Sequence, residues 1–471
     1  MYRIFVMFIF CLLAFANDLK ITNSFVYNGD QKYAIIDLSW ENSWHNKKNH
    51  DAVWLFMKLL NGDYGYRHLK ISQTGHSWES EDKQRLKLAI RVSDDGSGVM
   101  IEPVDTYRGP VHIRLKIMLD ESQFSRRFQL SQGAFKAYGI EMVYIPAAPF
   151  YVGDAKVDSQ YAALFKSDEN GKYDRLFKIE AETQAIKIGL EKDNLFYLRR
   201  NQYQGDDHIG ELGPQFPKGV DDFYVMKYEP KQGQYADFLN SLSVDDSQGH
   251  ANMSGKTYYR DRGTIRYDGS NYQAEKPDRP NNFMSWDDGA AYADWAALRP
   301  MTELEFTKAA NGPEKPVSGQ YPWGTTSLDK IKRFVDEHGD IGFAGLNESQ
   351  LDDSNRDQFA ASYYWVMDLA GSLWERVVTI GDSVGRSFTG SHGDGQLGDY
   401  GFADNADWPY GLRKAAGFGF RGGGYYTDRN AWHHFNPFSP TANRAFGAWS
   451  GGTRKNSYGS RYVRSAKTLL K

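Results

Sequence analysis

Apolar and polar residues alternate along several short segments in the first quarter of the chain. A period of two residues is typical of strands with one buried face, and turn-forming residues such as Asn61-Gly62-Asp63 separate the segments. The segments are 33–40, 53–59, 86–92, 99–103 and 111–117. The pattern predicts an antiparallel, all-β sandwich domain over residues 17–137.

The pattern changes near residue 138. Residues 142–153 predict a strand, a proline turn and a second strand, and a helix is expected over residues 232–242. Ser285 with Asp288, and Thr302 with Glu305, have the spacing of capping boxes and predict two further helix starts. Most of the chain beyond Gly324 is loop-like. These features predict an α+β domain over residues 138–471.

The first 16 residues resemble an export signal. A short basic start is followed by an apolar run over residues 4–15, and Ala14-Phe15-Ala16 fits a cleavage site. A membrane anchor is the alternative, but spanning a bilayer takes about 20 apolar residues. We expect a signal peptide over residues 1–16, no transmembrane segment after cleavage, and a product that is periplasmic, secreted or at the cell surface.

Composition is that of a globular protein. The chain is 41% hydrophobic and 25% charged, with a net charge of −4, and lacks a block of like charge, so nucleic acid is not an expected partner. Aromatic residues make up 15% of the chain, and this enrichment alone names no ligand.

Seven motifs occur in order over the C-terminal part of the chain. They are Tyr144-Ile145-Pro146, Tyr228-Glu229-Pro230, Ser285-Trp286, the run from Arg299 to Phe306, Tyr321-Pro322-Trp323-Gly324, the run from Met367 to Glu375, and the run from Arg421 to Tyr425. Together they resemble the formylglycine-generating enzyme family, also called sulfatase-modifying factors. The resemblance implies a C-type lectin-like fold with two main helices and long loops.

The resemblance also implies structural calcium. The family's calcium-binding segment corresponds here to Asp368, Gly371, Leu373 and Glu375, which would supply two carboxylates and two backbone carbonyls. Such hard oxygen ligands suit Ca²⁺. The alternative is that Glu375 pairs with an arginine and Asp368 caps a turn.

The catalytic cysteines of the family are missing. In the enzymes, two cysteines five residues apart follow the Arg-Gly-Gly strand, and these positions fall on Thr427 and Trp432. The sequence contains a single cysteine, Cys11, which lies inside the expected leader. Neither a hydroxyl nor an indole replaces a thiolate as a ligand for Cu(I), so cysteine-based formylglycine generation is excluded.

A binding or scaffold protein is therefore the expected function, and a bacterial cell-envelope, secretion or gliding assembly is its expected setting. The expected partner is a protein or glycan at the envelope. Aromatic and histidine side chains over the former active groove would contact it, namely Tyr425, Tyr426, Trp432, His433, His434, Phe435 and Trp449.

Two other hypotheses stay open from the sequence. One is a metal-dependent oxidase or oxygenase that uses iron or copper held by His433, His434 and a further ligand such as His392, Asp394 or Asp428. Adjacent histidines face opposite ways on an extended strand, which disfavours a shared metal. The other is that the N-terminal sandwich is the functional part.

Overall fold

The structure is a computed structural model of the 471-residue chain. It describes residues 19–81, 85–125, 127–156, 162–172, 175–197, 209–253, 257–428, 431–451 and 453–470. The expected signal peptide, residues 1–16, lies outside the described residues and stays a prediction.

Strands predominate over helices in the described residues, as the ranges below show. The strands, numbered β1 to β27 in chain order, are Lys20–Asn28, Lys32–His45, Asp51–Leu60, Tyr66–His68, Ser77–Glu79, Leu88–Val92, Val99–Pro103, Tyr107–Met118, Phe135–Ile145, Phe150–Val152, Leu164–Lys166, Phe177–Ile179, Ile186–Ile188, Leu195–Tyr197, Gly210–Leu212, Phe223–Met226, Ile265–Tyr267, Tyr272–Ala274, Arg299–Pro300, Arg333–Val335, Ile341–Phe343, Trp374–Val378, Phe418–Arg421, Tyr426–Asp428, Ala431–His433, Tyr458–Ser460 and Tyr462–Ser465. The α-helices α1 to α6 are Gln232–Ser241, Val244–Ala251, Trp286–Trp295, Glu303–Asn311, Arg356–Phe359 and Ser383–Arg386.

The N-terminal strands form a sheet that packs on a second sheet. β1, β2, β8 and β5 pair in that order, and the pairs are antiparallel. Alternate residues of β2 are buried in one apolar cluster with Val53, Leu55 and Met57 of β3: Ala34, Ile36, Leu38 and Trp40. All five strand segments expected from the alternation are confirmed as β2, β3, β6, β7 and β8.

The central strand β3 is buried on both faces. Its other face places Trp54 and Phe56 in the main core, where they join Ile140 and Met142 of β9. β3 pairs with β9 from Asp51 opposite Val143 to Leu59 opposite Phe135. The expected domain boundary between residues 137 and 138 therefore lies within a strand, and one sheet, ordered β19-β27-β16-β9-β3-β7-β6, joins residues from both sides of it.

The predicted helix starts are confirmed. The hydroxyl of Ser285 accepts the N–H of Asp288 at 3.1 Å, and the Asp288 carboxylate accepts the N–H of Ser285, so α3 begins with a reciprocal cap. Thr302 and Glu305 make the same pair of bonds at the start of α4. Helix α1 covers the segment expected at 232–242.

The C-terminal part consists mainly of loops on a small framework. The strands β23, β22 and β26 form a three-stranded sheet, and β24 with β25 forms a separate hairpin. The mixture of helices and strands agrees with the α+β class, whereas the C-type lectin-like arrangement stays a prediction. Among the residues that the structure describes, no helix has the length and apolar character to cross a membrane.

Candidate functional site

A short hairpin carries most of the residues expected to bind a ligand. Strand β24 pairs with β25, and Thr427 lies directly opposite Trp432. By the spacing of the motif, these are the two positions expected to carry cysteines in the enzymes of the family that this chain resembles. The register therefore makes the two residues direct cross-strand neighbours, whose side chains lie side by side on one face. Thr427 is exposed and Trp432 is half-buried, and neither supplies sulfur.

The two faces of the hairpin carry different side chains. Tyr426 lies opposite His433, and their rings stack with centroids 4.8 Å apart and planes at 20°. Because neighbouring residues of a strand face opposite sides, this pair lies on the face away from Thr427 and Trp432. The hairpin thus separates His433 from the former catalytic positions.

An arginine from a distant loop completes the face that carries Trp432. The guanidinium carbon of Arg262 is 3.7 Å from the ring centroid of Tyr425 and 5.5 Å from that of Trp432. Arg262 also donates to the carbonyl of Asp336 at 2.7 Å. The indole Nε1 of Trp432 is buried and has no hydrogen-bond partner among the described residues. We call Arg262, Tyr425 and Trp432 the guanidinium–aromatic patch.

His434 lies beneath this patch. Its ring is 6.0 Å from that of Trp432, the residue is 8% exposed, and Nδ1 lies 3.0 Å from the carbonyl of Val335. Burial lowers the pKa of His434 to about 4, so the ring is neutral at pH 7 and its Nδ1–H donates to that carbonyl. His434 is a packed structural residue in this arrangement.

The last two predicted ligand-binding residues lie apart from the patch. Phe435 packs edge-on against Tyr321 and Trp323, with the nearer centroid at 5.4 Å. Trp449 stacks on Phe446 at 4.9 Å, in an aromatic cluster that also includes Trp374 and Phe438. Phe435 also packs edge-on against His434, with centroids 4.2 Å apart, so the structure brings Tyr425, Trp432, His434 and Phe435 together and places Tyr426 with His433 on the other face and Trp449 in a separate cluster.

The loop 368–375 supports the hairpin from below. The N–H of Gly371 donates to the carbonyl of Gly422 at 3.1 Å, and the N–H of Tyr425 donates to the carbonyl of Ser372 at 3.0 Å. Gly422 and Gly423 have φ values of 83° and 63°, which glycine adopts without strain, so the glycine run after Arg421 permits this approach.

Arginines hold both carboxylates of the loop. Arg333 donates to the two oxygens of Asp368 at 2.7 and 3.0 Å, and Arg461 donates twice to Oε1 of Glu375, at 2.9 and 2.6 Å. The side chains of both arginines are 0% exposed. Burial alone would raise the pKa of Asp368, but Arg333 lowers it; burial raises the pKa of Glu375 in spite of Arg461.

A third carboxylate, Glu229, lies beside them. Its two oxygens accept the N–H of Leu373 at 3.0 Å and the hydroxyl of Ser372 at 2.7 Å. Burial raises the pKa of Glu229 well above its ordinary value, and the neighbouring Glu375 and Asp368 raise it further. Glu229 therefore ties the loop to the end of β16 through hydrogen bonds.

A family comparison agrees with the order of the motifs. The family model described as the sulfatase-modifying factor enzyme 1-like domain matches residues 192–466, more than half of the chain. The chain belongs to this family. The match ends directly after the last strand, β27, and includes the hairpin, the loop 368–375 and helices α1 to α6.

Three characterised proteins are similar to parts of this chain. The formylglycine-generating enzyme of Thermomonospora curvata is 29% identical over 110 residues, covering 21% of this chain and 33% of that protein. The inactive C-alpha-formylglycine-generating enzyme 2 of Bos taurus is 33% identical over 108 residues, with shares of 21% and 33%. The small ribosomal subunit biogenesis GTPase RsgA of Flavobacterium psychrophilum is 24% identical over 169 residues, with shares of 32% and 50%.

The matched segments span only a third to a half of these relatives. The activities of these relatives are therefore not assigned to this protein on the basis of the matches. For the GTPase in particular, this sequence contains no Gly-x-x-x-x-Gly-Lys-Ser/Thr segment to cradle a phosphate.

The family's calcium does not fit the residues as they are placed. Calcium takes about six to eight oxygen ligands, but both oxygens of Asp368 and one of Glu375 accept guanidinium N–H groups. The remaining Oε2 of Glu375 is buried without a hydrogen-bond partner among the described residues. Of the two interpretations that the sequence allowed, the structure contains the pairing of Glu375 with an arginine.

The iron or copper alternative gains no support from the arrangement. His433 stacks on Tyr426, His434 is buried on the other side, and His392 Nε2 accepts the N–H of Ser465 at 3.0 Å. Within the described parts of the chain, no group of three or more histidine, cysteine or acidic side chains is placed to hold a metal ion.

The sequence did not predict the contacts of four residues that shape the site: Arg262, Arg333, Arg461 and Glu229. Each acts across a long separation in the chain, such as the 86 residues between Arg461 and Glu375. No local pattern marks such pairs. The one available signal was the motif Tyr228-Glu229-Pro230, which contains Glu229.

Proposed function

We propose that this protein is an exported, non-catalytic binding or scaffold protein built on a sulfatase-modifying factor domain. One observation carries the proposal: the two facing hairpin positions hold Thr427 and Trp432, and the chain beyond the expected leader contains no cysteine. Without a thiolate, the hairpin lacks the sulfur nucleophile and the soft copper ligand that cysteine oxidation needs. Export and a location at the cell envelope belong to this proposal, because they depend on the expected leader.

The guanidinium–aromatic patch is the binding surface that we assign. The guanidinium carbon of Arg262 lies 3.7 Å from the ring centroid of Tyr425, and the residue is 6% exposed, so the half-buried rings of Tyr425 and Trp432 provide most of the accessible surface and Arg262 adds positive charge behind them. Aromatic faces beside a guanidinium match ligands rich in acceptors, such as the hydroxyls of a glycan or the carbonyls of a peptide.

The relatives are compatible with such a role. One of the curated matches is itself named an inactive formylglycine-generating enzyme, so the domain is not tied to catalysis among the proteins that this chain resembles. Rigid elements that present variable loops are well suited to recognition. The hairpin has such a position, since backbone hydrogen bonds from the loop 368–375 hold the residues that precede β24.

Capture from the native cell envelope tests the proposal. The wild-type protein, Trp432→Ala and Arg262→Ala would be used as baits, with Tyr64→Ala as the matched control because Tyr64 is an aromatic residue that is 85% exposed and remote in sequence from the hairpin. We expect the wild type and Tyr64→Ala to retain the same partner and the two patch variants to lose it. Treating the captured material with protease or with glycosidases then distinguishes a protein from a glycan. Retention of every interaction by both patch variants would reject the assigned surface.

A further inference from the structure

Arg461 holds the Glu375 end of the loop 368–375. Its guanidinium makes two bonds to Glu375 and also donates to two backbone carbonyls, Met226 at 2.7 Å and Met367 at 2.8 Å. One of these oxygen donors, the Glu375 carboxylate, belongs to the set expected to bind calcium, and in this chain it accepts from a guanidinium that is 0% exposed.

Arg333 completes the arrangement from the other side. It makes a two-pronged pair with Asp368, whose backbone has a φ of 61°, and its Nε lies 3.6 Å from Glu348. Such paired bonds fix both the position and the orientation of a carboxylate. The two ends of the loop are thus each held by an arginine from a different part of the chain: Arg333 lies in β20, and Arg461 lies between β26 and β27.

The pairing of buried charges supports a structural role for these two arginines. Asp368 and Glu375 are both buried, and each has its own buried positive partner, Arg333 for Asp368 and Arg461 for Glu375. Removing one partner of a buried ion pair leaves the other charge uncompensated, which is strongly unfavourable. A divalent ion bound to these carboxylates would have to displace two guanidinium groups that are 0% exposed.

We propose that Arg461 and Arg333 replace the structural calcium of the family, so that the loop beneath the hairpin is held without a metal ion. The hairpin and the guanidinium–aromatic patch are then independent of calcium. This inference concerns the architecture of the loop and holds whether or not the protein is a binding protein.

Calcium measurements on the intact wild-type protein test the proposal. The protein would be purified without chelators, analysed for bound calcium, and unfolded by heat in millimolar CaCl₂ and in EDTA. We expect less than about one tenth of an equivalent of calcium and the same unfolding midpoint in both solutions, because a ligand that does not bind the native state does not stabilise it. Stoichiometric calcium, or a midpoint several degrees higher in CaCl₂, would overturn the proposal.

A substitution provides the converse test. Arg461→Ala frees the oxygens of Glu375, Met226 and Met367, so we expect its unfolding midpoint to fall and to recover in part when CaCl₂ is added. The matched control is Arg464→Ala, which removes a second fully buried arginine three residues further along the chain, one that donates to Ala297 and Asp95 instead.

The comparison between the two variants decides the outcome. Calcium recovery in Arg461→Ala and none in Arg464→Ala supports the replacement. Equal responses in both variants, or no response in a folded Arg461→Ala, would contradict it. If Arg461→Ala does not fold, the wild-type measurement still decides.

Discussion

Buried ionisable residues explain much of the behaviour expected at the hairpin. His434 is neutral because burial outweighs the attraction of the nearby Asp368 carboxylate. Arg333 and Arg461 instead remain charged, because each lies directly against a carboxylate. At a similar degree of burial, the two arginines keep their charge because each is paired directly with a carboxylate, whereas His434 loses its charge because it has no such direct pair.

The buried imidazole predicts a loss of stability in acid. The pKa of His434 is lowered from 6.5 to about 4, so the unfolded chain binds a proton between these values and the folded chain does not. Stability therefore falls as the pH drops from about 6.5 to about 4, by at most about 3 kcal/mol from this residue. Denaturant unfolding across this range should show a flatter pH dependence for His434→Gln than for the wild type.

The control for this experiment is His338→Gln, because the side chain of His338 is 71% exposed. Its pH dependence should follow that of the wild type. Identical curves for His434→Gln and the wild type would show that His434 is not held neutral in the folded protein.

The facing positions Thr427 and Trp432 predict a disulfide when both are changed to cysteine. Directly opposite residues have Cβ atoms about 4.5–5.5 Å apart, close to the separation that a disulfide spans. In a chain that starts at residue 17, which has no other cysteine, Thr427→Cys/Trp432→Cys should oxidise with the loss of two hydrogens by intact mass. The control pair Thr427→Cys/His433→Cys lies on opposite faces and should remain reduced. Oxidation of both pairs to the same extent would contradict the register.

At the scale of elements, the hairpin and the loop 368–375 act as one unit. Backbone bonds from Gly371 and Tyr425 join them, and a Cβ at Gly371 would lie 2.7 Å from Nε2 of His434. The contact leaves no room for a side chain. The orientation of the hairpin therefore depends on a glycine in the loop.

Two glycines with similar backbone conformations test this contact. Gly371 has a φ of 78° and Gly345 a φ of 72°, but a Cβ at Gly345 meets open space. Both alanine variants incur backbone strain, and Gly371→Ala should be further destabilised by about 1–3 kcal/mol because of the clash. Urea unfolding measures the difference, and equal losses in the two variants would argue against the tight contact.

Local elements were predictable from the sequence, and the distant pairs were not. The capping boxes at Ser285 and Thr302 identified α3 and α4, since the spacing of a cap is read over four residues. The family spacing identified Thr427 and Trp432 as equivalent positions. The contacts of Arg333 and Arg461 depend on how β20 and the segment between β26 and β27 are placed in three dimensions, and no sequence period encodes that placement.

At the scale of the whole molecule, a single sheet joins the N-terminal strands to the family domain. β3 pairs along nine residues with β9 and directs Trp54 and Phe56 into the main core. The alternation in the sequence identified these strands but not their partners, because pairing across some 80 residues leaves no local pattern. The predicted division at residue 137 thus separates strands that the sheet keeps together.

The shared sheet predicts that the family domain does not fold alone. A chain that begins at residue 138 lacks β3 and β7 and the core residues Trp54, Phe56 and Met100, so we expect no cooperative unfolding transition. Supplying residues 17–137 as a separate chain should restore the transition. A cooperative transition of the isolated part, with the midpoint of the intact protein, would contradict the structural role assigned to the N-terminal strands.

The central claim is that this member of the sulfatase-modifying factor family keeps the domain but not the chemistry of cysteine oxidation. The most direct measurement incubates the purified protein with copper, oxygen and a cysteine-containing peptide of the type that formylglycine-generating enzymes oxidise, and follows the peptide by mass spectrometry. An active formylglycine-generating enzyme is the positive control. The account predicts that the peptide keeps its thiol; conversion of the cysteine to an aldehyde by this chain would contradict it.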